Sequence, residues 1–135
     1  MGLIVDANVF IQFERQNSSV DLSRWAQPED EVFISAITVS ELLMGVHRAD
    51  TEIRRKHRGE FVEAILSGVT VLDFSTTIAR RHAQLHADLA RKGQLIGPHD
   101  MIIAATALHH RLSLLTDNVA EFSRVNGLNV IPPGP

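Results

Sequence analysis

Short runs rich in Val, Ile, Leu and Phe recur along this chain at residues 3–5, 32–34, 69–72, 112–115 and 128–131. Each is bounded by polar residues, as expected of brief strands rather than helices. Between most of them lie stretches long enough for helices, at 7–14, 38–46, 51–66, 75–92 and 98–110, with a further short helix expected at 20–26. Strands alternating with helices favour parallel β-α-β units. Strands this apolar suit a sheet covered by helices on both faces. The expected architecture is an α/β/α three-layer sandwich around a central parallel sheet, with residues 1–135 forming one domain.

In such sheets ligands bind beyond the carboxyl ends of the strands. Asp6 directly follows the first run, and Asp117 follows Leu114-Leu115-Thr116. Glu41 lies a few residues past Val32-Phe33-Ile34, in the expected first turn of the next helix. Asp100 sits in the first turn of the helix opened by Gly97-Pro98. Each acid has a plain structural use. Asp6 and Asp117 suit helix N-caps, Thr38 to Glu41 has capping-box spacing, and Asp100 suits the positive end of a helix dipole. Convergence of all four is different, because neighbouring carboxylates repel and call for positive charge. With no cysteine in the chain, the all-oxygen donor set points to magnesium, with manganese as a substitute.

Composition narrows the alternatives. The formal net charge is −3, so binding to nucleic acid would need local positive charge or a metal held by the acids. Five of the thirteen Lys and Arg residues, Arg48, Arg54, Arg55, Lys56 and Arg58, fall within eleven positions. They form either an RNA-backbone patch or the solvated face of a helix whose buried stripe is Ile53, Phe61 and Ile65. The Leu42-Leu43-Met44 ridge with Val46 is either sandwiched or partly exposed for a partner. His82 and His86 have metal-pair spacing but no neighbouring acid to make a zinc-protease pattern. His99, beside Asp100, faces either substrate or the first helical turn. No Gly-x-Gly-x-x-Gly, Walker lysine or Gly-x-Ser-x-Gly motif is present, which leaves dinucleotide, nucleotide and serine-hydrolase chemistry unsupported. No run reaches the roughly 18 apolar residues of a membrane span, and the first residues lack signal-peptide character. A cytoplasmic protein with no membrane partner is expected.

Six ordered pieces carry a resemblance. They are Leu3-Ile4-Val5-Asp6-Ala7-Asn8, Ser40-Glu41-Leu42-Leu43-Met44-Gly45, Ile96-Gly97-Pro98-His99-Asp100, Ile103-Ala104-Ala105-Thr106-Ala107, Leu114-Leu115-Thr116-Asp117-Asn118, and Phe122 with Gly127-Leu128. Together they span nearly the whole chain, which resembles the PIN-domain ribonucleases and in particular the VapC-type toxins of toxin–antitoxin pairs. The resemblance implies a magnesium-dependent endoribonuclease with one or two ions, a VapB-like antitoxin, an RNA substrate (tRNA before rRNA) and a homodimer. It implies catalytic roles for Asp6, Glu41, Asp100 and Asp117, with Asp6, Asp100 and Asp117 as metal ligands. Asn8, Thr116 and Asn118 would support them. Relatives often place the last acid or asparagine two residues after the threonine, so Asn118 competes with Asp117 for the fourth position. Ala7 departs from the hydroxyl residue often found there. The rival readings are a receiver domain, a degenerate PIN-like binding module, and a PIN nuclease of RNA processing that has no antitoxin. The receiver reading lacks paired acids after the first strand and a lysine after the last.

Overall fold

The computed structural model describes residues 2–134. In chain order the elements are β1 (Leu3–Val5), α1 (Ala7–Arg15), β2 (Val32–Ser35), α2 (Ala36–His47), α3 (Glu52–Gly68) and β3 (Thr70–Leu72). They continue with α4 (Thr76–Arg91), α5 (Pro98–His110), β4 (Ser113–Leu115), α6 (Val119–Phe122) and β5 (Val130–Ile131). The five strands form one parallel sheet in the order β3-β2-β1-β4-β5. The chain moves outward from β1 through β2 to β3, then returns to the other side of β1 with β4 and β5. The order reverses between β1 and β4, and a crevice opens at such a switch point.

Side-chain alternation along β1 explains the three layers. Leu3 and Val5 join Val9, Phe10, Leu42, Val62 and Ile65 from α1, α2 and α3. Ile4 points the other way and joins Leu89, Met101, Ile103, Ala104 and Ala107 from α4 and α5. Ala104, Ala105 and Ala107 are all fully buried, so small side chains let α5 lie close to the sheet. Among the described residues no helix is long and apolar enough to cross a membrane.

Three local expectations are corrected. Residues 20–26 form turns, not a helix: the Trp25 and Ala26 amides both donate to the Leu22 carbonyl, giving a single turn. Pro28 disfavours helical geometry at Gln27, so the turn cannot propagate. Helix α2 starts at Ala36 rather than 38, because Ser35 caps it through Oγ, which accepts from the Ile37 amide at 3.2 Å. Glu41 therefore lies in the second turn and closes no capping box. On α3 the buried positions are Val62 and Ile65, whereas Ile53 is 72% exposed.

Helix α5, which carries Asp100, ends at Arg111 in the left-handed region, φ 56° and ψ 45°. A side chain there costs energy that glycine avoids. Arg111→Gly is expected to raise stability by about 0.5–1 kcal/mol in chemical denaturation, offset in part by the greater freedom of glycine in the unfolded chain.

Candidate active site

Asp6 leaves the end of β1 and caps α1, its Oδ1 accepting from the Ala7 amide at 2.8 Å. Its Oδ2 accepts from Thr116 Oγ1 at 2.8 Å and from Asn8 Nδ2 at 3.2 Å. Thr116 follows β4, the neighbouring strand across the switch point, and is fully buried. Its hydroxyl therefore ties the two strand ends together, and it also accepts from the Asn118 amide at 3.0 Å. Burial raises the Asp6 pKa, and the three donors oppose that rise.

An open cleft of about 420 Å³ lies in front of Asp6, with Asn8, Glu41, His99, Asp100 and Asn118 among its walls. Glu41 is brought there from α2. Its Oε1 is shut off from solvent without a hydrogen-bond partner, as is Thr38 Oγ1 one turn earlier. Glu41 Oε2 lies 3.7 Å from His99 Nδ1. Burial, then the Asp6 charge, raises the Glu41 pKa. Asp100, from the first turn of α5, is pushed from its ordinary 3.8 up to about 6 by burial and by the charges of Asp6, Glu121 and Glu41, against the Asn118 hydrogen bond. The arrangement is a half-buried carboxylate cluster whose acids hold on to protons, one of which has a vacant acceptor. Among the described residues no three acidic or imidazole side chains close into a ready ligand set for a metal ion.

The structure thus brings Asp6, Glu41 and Asp100 to one cleft, with Asn8, Thr116 and Asn118 as the hydrogen-bonded frame. It does not bring Asp117 there. That residue is exposed, and its amide donates to Asn8 Oδ1 at 3.1 Å while its side chain lines a neighbouring cavity. Sequence reasoning missed Glu121. One Glu121 oxygen accepts from the Gly97 amide at 2.6 Å, and the other accepts from Asn118 Nδ2 at 2.8 Å. Asn118 Nδ2 also donates to Asp100 Oδ2 at 3.0 Å, so Glu121 and Asp100 are joined through one amide. The signal was present: Asn118 is the N-cap of α6 and Glu121 its third residue, the spacing of a capping box. The basic run divides by its partners. Arg48 lines the acid cleft, Arg54 pairs with Asp50, Arg55 Nη2 donates to the Ala49 carbonyl, and Arg58 reaches Glu14 and the Gly45 carbonyl. Lys56 is exposed on α3. Of the Leu42-Leu43-Met44 ridge, Leu42 is buried while Met44 is 41% exposed and forms part of the cleft wall.

A parallel α/β sheet that gathers acids at its switch point, without a phosphate-binding glycine loop, defines a small carboxylate-site α/β protein. The model of the PIN domain family matches residues 3–128, and the chain belongs to that family. It is 40% identical over 131 residues to Ribonuclease VapC1 of Rickettsia felis, covering 97% of this chain and 96% of that protein. It is 30% identical over 128 residues to the tRNA(fMet)-specific endonuclease VapC of Shigella flexneri, covering 95% of each. Its fold superposes on a chain of the DNA-bound VapBC crystal structure from Salmonella typhimurium with a TM-score of 0.86 at 30% identity, covering 98% of each chain. Within the PIN family the chain is therefore of the VapC type.

The raised Asp100 pKa fixes a sign. A folded-state value above the unfolded one favours folding at low pH, and that contribution is lost as pH rises through about 6. In metal-free buffer at pH 7.5, Asp100→Asn is expected to stabilise the fold by about 1 kcal/mol after discounting for its half exposure, roughly 3 °C in Tm. Thermal melts should show the gain shrinking as pH falls from about 7.5 towards 4; a gain independent of pH would contradict this origin.

Proposed function

We propose that this chain is a magnesium-dependent endoribonuclease toxin, restrained by a VapB-like antitoxin and acting on structured RNA, tRNA first and rRNA second. The observation that carries the reading is the meeting of Asp6, Glu41 and Asp100 at one open cleft. The names of the relatives support the nuclease class, and that of the Shigella flexneri protein supports tRNA. The VapBC complexes among similar structures support the antitoxin. A homodimer and a cytoplasmic site of action are carried over from the family resemblance.

The donor chemistry fits the proposed ion. Magnesium keeps several waters and takes one or two carboxylates, so an open acid cleft suits it better than a closed cage. Asp6 and Asp100 are the residues that would hold it, with manganese as a substitute. Bound there, the ion would offset the carboxylate charges, lower the pKa of water and stabilise charge on the phosphate.

The protein's own groups then do the following. Thr116 and Asn8 hold Asp6 in one orientation, and Glu121 holds the Asn118 amide that orients Asp100. The Glu41 carboxylate accepts a hydrogen from the attacking water, and its raised pKa suits it as a base. The water oxygen bonds to phosphorus as the bond to the 3′ oxygen breaks. One water proton goes to Glu41 and the leaving 3′ oxygen takes a proton from solvent in the open cleft, giving 5′-phosphate and 3′-hydroxyl ends. Arg48, at the cleft wall, is placed to meet an RNA phosphate.

Incubation of total bacterial RNA with antitoxin-free protein tests this. Discrete cleavage with magnesium is expected, none with EDTA, and a loss of about a hundredfold or more in Asp6→Asn, Glu41→Gln and Asp100→Asn. Undiminished cleavage by folded Asp6→Asn would contradict the assignment. Absence of cleavage by the folded parent chain would favour a binding-only PIN domain.

A further inference from the structure

Asp117 is the one acid singled out from the sequence that the cleft does not use, and its surroundings indicate another role. Beside the acid cleft, across Asn8, lies a second cavity of about 270 Å³. Its polar wall is built from one face of α1, where Asn8, Gln12 and Gln16 follow one another at intervals of four and so stack along the helix. The Asn8 amide is committed to Asp6 and Asp117. Gln12 and Gln16 are exposed, and neither carboxamide has a hydrogen-bond partner among the described residues. The cavity is also lined by half-buried Trp25, packed edge-on with Phe13 at 6.4 Å, and by Arg24, whose guanidinium lies over the indole ring at 5.6 Å. Asp117, with Val9, Pro133 and Gly134, completes the lining.

This combination selects a ligand class. Arg24 and Asp117 give the cavity one charge of each sign, so it offers no net attraction to a bare phosphate. An indole ring and a guanidinium plane beside two carboxamides suit a flat, uncharged heterocycle with hydrogen-bonding edges. We propose that this cavity is a nucleobase subsite, holding a base of the RNA strand whose phosphate lies in the acid cleft. The proposal rests on the nuclease reading above and adds the residues that read sequence. Trp25 and the Arg24 guanidinium stacked on it supply the flat surface, Gln12 and Gln16 bond the edge of the base, and Asp117 accepts its N–H groups. A carboxylate has only acceptors, so a base offering adjacent donors is preferred: guanine, with its N1–H and exocyclic amino group, binds best. Uracil, with one N–H between two carbonyls, binds worst.

Trp25 is the single tryptophan of the chain, so its fluorescence reports on this cavity directly. The full chain is titrated with GMP, AMP, CMP and UMP, with ribose 5-phosphate as the control without a base. The proposal expects saturable quenching that is strongest for GMP, weakest for UMP and absent for ribose 5-phosphate. Gln12→Ala and Asp117→Asn should each weaken GMP binding about fivefold or more. Both positions are exposed, and circular dichroism checks that the variants remain folded. Equal, non-saturating quenching by all four nucleotides, or GMP binding unchanged in both variants, would overturn the proposal. This readout needs no cleavage, so it separates failure of the subsite from failure of the nuclease reading. Where RNA cleavage is observed, the ends mapped for Asp117→Asn should show a relaxed base preference at one position beside the cut with magnesium dependence intact. An unchanged preference there would also overturn it.

Discussion

Asp6, Glu41 and Asp100 face one cleft, where the Asp6 charge makes ionisation of Glu41 and Asp100 harder and the Glu41 charge adds to the effect on Asp100. Carboxylates in a half-buried space would relieve this repulsion by spreading apart if their backbones allowed it. Here they cannot. Asp6 is fixed to the end of the central strand, Glu41 to the second turn of α2 and Asp100 to the first turn of α5, and all three elements are anchored by buried apolar residues. Packing energy thus holds together charges that would separate in solution. The site carries strain of electrostatic rather than backbone origin, a common trade between stability and function.

A frame of neutral donors makes that strain tolerable. The Thr116 hydroxyl, the Asn8 amide and the Ala7 N–H all serve Asp6. Asn118 spends both amide hydrogens on Asp100 and Glu121, while Glu121 ties the α6 turn to the Gly97 amide that opens α5. None of these donors adds a positive charge. The frame orients the acids and leaves their net charge uncompensated, which is the condition under which a divalent cation gains most by entering.

The architecture was largely legible because short apolar runs and intervening helical stretches signal a parallel sheet directly. The carboxyl-edge rule then pointed to Asp6, Glu41 and Asp117, of which the cleft takes the first two, while Asp100 joins them from the start of α5. What escaped was local. Ser35 starts α2 earlier than the Thr38 to Glu41 spacing suggested, because a β-conformation serine at a strand end is an equally good cap. Ile53 is exposed since it precedes the part of α3 that meets the sheet, so helical periodicity alone overextended the buried stripe. At the end of β4, charge favoured Asp117 over Asn118, but the chain turns there so that the amide faces the cleft and the carboxylate does not. Glu121 was hidden by looking like an ordinary capping residue.

Calorimetric titration of the antitoxin-free chain with magnesium, in buffers of different ionisation heat at pH 6 and pH 7.5, tests most directly whether the strained acids await a cation. Asp100 is half protonated near pH 6, so bound metal must expel its proton there. Saturable binding is expected, with more proton release at pH 6 than at pH 7.5 and loss of binding in Asp6→Asn. Absence of saturable binding, or binding that releases no protons and survives Asp6→Asn, would contradict it.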